Sequence, residues 1–563
     1  MKRLTVLLVS LAVGAAGAAE WRFPDKTDPA RVIPHDEAYA FPDGFKATVE
    51  FVPDLASIGK RSGFANIFTK GDDFQDGYSL MVSREGRVLV DVKGVSPAYH
   101  IIPVVLESGR KCRMELYVTK TCVRFFLDGK ECGSYSFVGT PDFSNRMPLR
   151  IGSMGGYKFA GSLPYLKLEP LSSVRVPPGG PRPMLTETPK DQKRAVVRWD
   201  RPICKEKDRY IGWPTVHRLG NGDVVAVFSG DREAHVCPWG KVQMVRSTDD
   251  GETWSAPQTV QNGPIDDRDA GLVQMPDGDL VLTWFTSDYY RSLLHEGETY
   301  DPSDSRFWWR RHDEKIAPET REAAIGYFRA VSKDNGKTWT KPMRMEGVGN
   351  APHGPRLLKD GSLLQLGIGH KMRTVNGVQK DCTRLWVTRS TDKGATWQTL
   401  CEDVPWTGDE GLAVILLDEP DVIECDDGTL VGMVRFNEDP AHPDDHCLRQ
   451  TVSRDGGRTW TPTVKIPVVG FPPHLLKLPD GKLVCVYGRR TVNPGYGEFA
   501  VISDDNGRTW DVENEIVLRP FSNDDLGYPS SCLLSNGDIL TVYYQPEKVG
   551  EKPCLMATRW RVK

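Results

Sequence analysis

The octapeptide STDDGETW at residues 247–254 returns four times further down the chain, as SKDNGKTW (332–339), STDKGATW (390–397), SRDGGRTW (453–460) and SDDNGRTW (503–510). Five matches to one S-x-D-x-G-x-T-W pattern define a structural repeat. Within it the aspartate can accept hydrogen bonds from its own turn, the glycine supplies a positive φ, and the tryptophan packs beneath. These residues build a folding unit, and none is a candidate for chemistry. Ahead of each repeat, and once after the last, stands a hairpin turn centred on Gly222, Gly278, Gly361, Gly428, Gly481 or Gly537. Six such hairpins, five of them followed by the repeat turn, describe six four-stranded blades, a six-bladed β-propeller. LMATRWRVK (555–563) ends the sixth blade, and AVVRW (195–199) is placed to supply its outer strand and close the ring.

Upstream of the repeats the pattern changes but stays all-β. The runs FKATVEFV, GYSLMVS, GRVLVDV, CRMELYV, CVRFFLDG, PLRIGS and YLKLEP alternate with a period of two between Gly, Asp and Ser turns, as in a two-sheet sandwich. FFLDGKECGSYSF followed by PLRIGSMGGYKFAGSLPYLKL resembles the laminin-G or concanavalin-A-like jelly rolls of secreted carbohydrate-active proteins. The expected organisation is therefore a β-sandwich over residues 20–172, a Pro/Gly-rich linker over 173–193 and a propeller over 194–563. Residues 1–19 read as a signal peptide: Lys2 and Arg3, an apolar run from Leu4 to Val13, then GAAGAA. That run is too short to span a bilayer, so the expected location is periplasmic or secreted, without membrane insertion.

The formal net charge is only -4 and no basic run occurs, which argues against a nucleic-acid partner. The twelve cysteines are scattered, several of them, such as Cys425 and Cys485, inside or beside strand patterns, and are expected to be buried thiols. No Cys/His cluster has zinc-ligand spacing, and neither a metal nor a cofactor is expected.

In a propeller the start of each innermost strand and the end of the next strand meet at one mouth of the central funnel. Counting back nine residues from the turn glycines aligns Trp213, Asp269, Pro352, Glu419, Pro472 and Tyr528, with Gly212, Arg268, Ala351, Asp418, Phe471 and Gly527 one place earlier. The second strands end at Arg232, at His370 and Lys371, at Arg435, and at Arg489 with Arg490. Arginines, carboxylates and one tyrosine thus converge on a single face.

On these residues the domain resembles the sialidase (neuraminidase) superfamily, whose Asp-boxes have the S-x-D-x-G-x-T-W pattern. DEPDVIECDDGTLVGMVR (418–435) matches a sialidase segment that carries the partner glutamate of the nucleophile and a substrate-binding arginine, which places those roles on Glu419 and Arg435. YPSSCLLSNG (528–537) matches the segment of the nucleophilic tyrosine, Tyr528. FSGDR (228–232) echoes F-A-E-G-R and yields Arg232, while Arg489 or Arg490 stands where the third arginine of the triad is expected. The resemblance implies an exo-α-sialidase acting on sialylated glycans or glycoproteins. Its chemistry suits these groups: the anomeric carbon of sialic acid bears a carboxylate, which repels an anionic nucleophile and leaves a neutral phenol unopposed. The phenol then needs a base, and arginines bind the carboxylate through bidentate hydrogen bonds.

The sequence departs from that pattern twice. GWP (212–214) replaces R-I-P, so Gly212 stands where the first arginine belongs, and Arg268 one blade on is the expected substitute. The loop after FSGDR reads EAHVCPWGK, which leaves Glu233 and Asp269 as alternative acid/base residues, with His235 and His370 as substrate-contacting or structural groups. The segment Asp288–Ala324, containing RFWWRRHDEK, is expected to form a short helical lid that shapes the leaving-group side. Two other functions fit the same propeller: a glycosidase or lyase for another acidic sugar such as a uronic acid, and a non-catalytic glycan-binding module.

Overall fold

The computed structural model describes residues 18–23, 30–36, 41–58, 63–71, 77–143, 145–154, 157–181, 183–295, 297–375, 378–406, 417–436, 446–491 and 495–563. Residues 1–17, which hold most of the expected signal peptide, lie outside them. The chain divides into two compact units, with the break between Thr186 and Glu187.

The first unit is a sandwich of two six-stranded antiparallel sheets. One runs in the order Ala19–Arg22, Gly161–Pro170, Phe45–Pro53, Cys112–Val118, Cys122–Leu127, Lys130–Ser136. The other runs Arg31–Ile33, Leu149–Ile151, Phe64–Lys70, Tyr78–Ser83, Arg87–Val92, Tyr99–Val105. Alternation along each strand sends Phe45, Phe51, Phe68, Leu80 and Leu166 into the space between the sheets, where all five are fully buried.

In the second unit every hairpin expected from the repeat belongs to a four-stranded antiparallel sheet, and the described residues form six such sheets. The fourth blade, for example, is Leu417–Glu424, Leu430–Phe436, Cys447–Ser453 and Val464–Val469. The sixth takes Ala195–Cys204 as its outer strand, paired antiparallel with Pro553–Val562 through two register shifts, and so joins the first strand of the propeller to the last. Innermost strands of the sixth and first blades, Gly527–Leu533 and Tyr210–Arg218, are in contact, which closes the ring. The third blade departs from the expected regularity. Its innermost strand is only Arg356–Leu357, and Pro352 sits in the turn ahead of it. Ahead of it the backbones of the second and third blades pack closely: a Cβ on Gly271 would stand 2.6 Å from the backbone of Gly354.

Each repeat turn behaves as its sequence demands. In Ser453–Trp460 the Gly457 amide donates to Ser453 Oγ at 3.0 Å, and the Thr459 amide donates to Asp455 Oδ1 at 2.9 Å. Thr459 Oγ1 donates to Asp455 Oδ2 at 2.6 Å, and these bonds hold the Asp455 carboxyl down at about 2. Trp460 Nε1 donates to the Gly457 carbonyl at 3.0 Å, so the indole is satisfied while its ring joins Leu366, Leu385, Leu430 and Val434 between the third and fourth blades. Each fully buried aliphatic chain in such an inter-blade core contributes about 1.5–3 kcal/mol. Cys425 and Cys485 belong to the neighbouring core between blades four and five, and burial raises both thiols.

The insertion in the second blade is helical. A 3-10 turn at Tyr289–Leu293 precedes helices at Ser305–Asp313 and Pro318–Ala324, the first capped by Asp304, which accepts from the Arg306 amide. Trp309 packs with Cys237, Ile265 and Tyr290, which ties the insertion to the loop that follows the strand Val224–Arg232.

Candidate active site

Four inner positions aligned by counting along the sequence share a backbone signature. Trp213, Asp269, Glu419 and Tyr528 all have positive φ, at 55°, 46°, 43° and 51°. Each falls within a register shift of its hairpin, at Gly212/Thr215, Arg268/Gly271, Asp418/Asp421 and Gly527/Ser530. A bulge carrying a left-handed residue breaks the strand's alternation and re-aims one side chain. Non-glycine residues accept that conformation at a cost of about 1–3 kcal/mol, and such strain gathers where a side chain must be held for function.

The bulges bring together the groups expected to act together. Tyr528 donates its phenolic proton in a short hydrogen bond to Glu419 Oε1, and Arg435 Nη1 donates to Glu419 Oε2 at 2.6 Å. Asp418 and Arg435 are cross-strand partners, which is why the two ends of this hairpin share the mouth. Burial pushes the Glu419 carboxyl up, but Arg435, the Tyr528 hydroxyl and Arg490 more than offset it, and it lies below its ordinary value. Tyr528 moves the other way: burial, Glu419 and Asp269 raise its phenol well above 10 despite Arg435 and Arg490. At neutral pH the pair is therefore a phenol poised against a carboxylate, the protonation states from which Glu419 can take the proton as the phenol attacks.

The arginines separate. Arg435 stacks on Phe471 at 4.2 Å, and Arg490 lies over the Tyr528 ring at 5.4 Å, donating to Tyr544 Oη and the Leu526 carbonyl, each at 2.7 Å. Arg268 stacks on Trp213 at 4.2 Å and reaches Asp266 only at 3.6 Å. Arg489 is not in this group: it is buried, bound to Glu515 and to the Val469 carbonyl, because neighbours on a strand face opposite ways. Arg232 is not available either. It is 0 % exposed and held by both oxygens of Asp266, by Ser229 Oγ and by the Ala234 and His235 carbonyls. The expectation that Arg232 and Arg489 offer guanidinium groups to a ligand thus meets one saturated side chain, Arg232, and one turned away to Glu515, Arg489.

The two carboxylates weighed as acid/base also part. Glu233 accepts from Trp309 Nε1 at 2.9 Å and faces the insertion. Asp269 is on the inner ring, buried, with Oδ1 unpartnered among the described residues. Burial raises its pKa to about 7, with Arg268 and Arg232 opposing and Glu419 adding to the rise. A carboxyl raised from 3.8 stabilises the fold fully below about 4, and that contribution is lost as pH rises through about 7. We expect Asp269→Asn to flatten this dependence, so that its melting temperature falls less than the wild type's between those two pH values. An unchanged slope would place the titrating group elsewhere.

Several residues of the site escaped the sequence. Tyr210, Trp213, Tyr528 and Tyr544 form one buried aromatic cluster. Tyr544 stands near the end of the second strand of the sixth blade and was legible by the same rule as Arg435, whereas Tyr210 precedes the aligned position and Asp525 lies ahead of the strand Gly527–Leu533. His370 and Lys371 are exposed and pair with Asp381 and Asp403. Among the described residues no group of three or more His, Cys, Asp and Glu is arranged to hold a metal, and no helix is long and apolar enough to cross a membrane.

Comparison with known proteins agrees with the repeat. A sialidase of Bacteroides fragilis (strain YCH46) is 25 % identical over 330 residues, 56 % of this chain and 55 % of that protein, so the chain spans about half the length of this curated relative. A crystal structure of a protein of unknown function from Dyadobacter fermentans DSM 18053 superposes with a TM-score of 0.50 at 22 % identity, covering 66 % of this chain and all of that one, a likeness of fold alone. A mutant of NanB sialidase from Streptococcus pneumoniae matches 96 % of this chain and 98 % of its own at 12 % identity, with a TM-score of 0.42, too distant to carry weight. Residues 306–541, from the insertion to the last hairpin, match the model of the BNR repeat-like domain family.

Proposed function

We propose that the protein is a glycoside hydrolase of the sialidase type, an exo-α-sialidase that releases terminal α-linked sialic acid from glycans or glycoproteins with retention of configuration. The observation that carries this proposal is the Tyr528–Glu419–Arg435 chain, a phenol hydrogen-bonded to a carboxylate that is itself locked by a guanidinium. Tyr528 attacks the anomeric carbon and Glu419 takes its proton. Arg435 on Glu419, Arg490 over Tyr528 and Arg268 over Trp213 give a positive field that suits a substrate carboxylate. A tyrosine nucleophile fits the class of retaining glycosidases in which a phenol replaces the usual carboxylate nucleophile. The chain architecture we assign to this activity is a signal peptide (1–19), a laminin-G-like sandwich (20–172), a linker (173–193) and the catalytic propeller (194–563), in a periplasmic or secreted protein.

One feature favours a second substrate. Gly212 stands where the sialidase pattern has its first arginine, so a carboxylate would be held by a different set of arginines, which favours an acidic sugar of another shape such as a uronic acid. Purified protein should release sialic acid from sialyllactose and from an aryl sialoside, and proton spectra should show the α-anomer first. Silence on both sialosides with turnover of aryl uronides would move the assignment to the second substrate.

A further inference from the structure

The leaving group of such a reaction needs a proton, and besides the two carboxylates an exposed, firmly oriented imidazole can give it. His235 lies in the loop after the strand Val224–Arg232, with its side chain 48 % exposed at the mouth. Its Nδ1 is 2.9 Å from Tyr210 Oη, and Tyr210 donates to Asp525 Oδ1 at 2.6 Å. Because the Tyr210 proton goes to the carboxylate, the phenolic oxygen is left to accept from Nδ1–H. That choice fixes the tautomer: Nε2 is the nitrogen that gains and loses the second proton.

The ring is held from several sides. Trp213 meets it edge-on at 5.0 Å and Tyr210 at 5.8 Å, while Trp213 in turn stands edge-on to Tyr528 at 6.3 Å. The loop backbone is pinned by Arg232, which donates to the His235 carbonyl at 3.0 Å, by Arg268 at 3.5 Å, and by Lys552, which donates to the Glu233 carbonyl at 2.7 Å. Saturated Arg232 thereby positions the loop that carries His235. The charged groups facing the imidazole are Asp525, Arg268 and Arg490. Partial desolvation and the two arginines hold its pKa below the usual histidine value, while Asp525 favours the protonated form.

We propose, on the basis of the sialidase-type reading above, that His235 is the acid/base catalyst of this site, oriented by Tyr210 and Asp525. In the first step Tyr528 Oη bonds to the anomeric carbon as its proton passes to Glu419, the bond from that carbon to the leaving oxygen breaks with its electron pair on oxygen, and His235 Nε2–H supplies the proton. In the second step water attacks the same carbon and gives its proton to Nε2. The bond to Tyr528 breaks, and the phenol recovers its proton from Glu419.

The test compares leaving groups. Wild type and His235→Gln are assayed across pH on sialyllactose, whose sugar alkoxide needs a proton, and on methylumbelliferyl sialoside, whose phenolate leaves unaided. We expect kcat/KM on sialyllactose to fall about 10²–10⁴-fold, the usual contribution of a positioned acid, and on the aryl sialoside by no more than about tenfold. The wild type's loss of sialyllactose turnover as pH rises through the histidine pKa should vanish in the variant. Added imidazole should restore turnover to His235→Ala, and Tyr210→Phe and Asp525→Asn should shift the pH profile with KM little changed. Equal losses on both substrates, or none, with the wild type active, overturn the assignment of His235 alone. A wild type inactive on every acidic glycoside overturns the glycosidase reading and this inference with it.

Discussion

Tyr528→Phe is expected to lose at least about 10³-fold in kcat on sialosides, because it deletes the attacking atom while leaving the arginine cluster in place. The ring contacts that hold the position survive: Trp213 edge-on, Tyr544 at 6.0 Å and Arg490 above. The missing hydroxyl leaves Glu419 Oε1 without its donor, a loss of about 1.5–3 kcal/mol for a hydrogen bond to a charged group. Glu419 still has Arg435, so the variant should fold, bind and fail to turn over. Kinetics with a calorimetric titration of free sialic acid separates these outcomes. A fluorinated sialoside that traps the intermediate should add its mass to the wild type at Tyr528 and add nothing to the variant. Undiminished turnover, or labelling of another residue, would remove Tyr528 from the reaction.

The second large effect concerns the partner. Glu419→Ala removes the base and also strands Arg435, whose side chain is 19 % exposed and whose Nε already lacks a partner among the described residues. Breaking a buried pair from one side costs about 3–5 kcal/mol, mostly the penalty of the charge left behind. Turnover should therefore drop by about 10²–10⁴-fold and the melting temperature should fall with it. Glu419→Gln should share the kinetic loss with a smaller thermal one, since an amide oxygen can still accept from Arg435. Adding Arg435→Met to Glu419→Ala should restore much of the stability and none of the activity. The contribution of the ion pair also has a sign in pH. Glu419 is depressed, so it stabilises the fold fully above its unfolded pKa of about 4.3, and that contribution is lost as pH falls through the lower folded value. A double variant as unstable as the single one would show that the stranded guanidinium is not the cause.

Much of this site could be read from spacing. The repeat gave the chain an internal ruler, and four of the six residues nine places before the turn glycines, Trp213, Asp269, Glu419 and Tyr528, share one bulge and one left-handed backbone. A single hairpin returns its end to its start, so Glu419 and Arg435 had to meet. The ruler picked out no such bulge at Pro352 in the third blade, whose inner strand is only Arg356–Leu357, or at Pro472 in the fifth. It also could not say which side chains were already engaged. Arg232 looked like Arg435 because both stand at the end of a second strand, but Asp266 on the neighbouring blade, Ser229 and two loop carbonyls together occupy the whole of the first guanidinium, whereas Glu419 takes only one edge of the second.

The order of strands, the number of blades and the closure through Ala195–Cys204 were legible in the sequence alone, following from periodicity, turn chemistry and hairpin geometry, all of which act over a few residues and repeat. The grouping of Tyr528 with Glu419 and Arg435 as nucleophile, base and substrate arginine was what the sialidase resemblance implied. The tertiary structure decided the rest: that Arg490 and not Arg489 faces Tyr528, that Asp269 is buried on the ring while Glu233 bonds Trp309, and that Tyr210 joins His235 to Asp525. The physical reason is that protonation and availability depend on which groups surround a side chain, and around a closed ring those groups come from strands far apart in the chain.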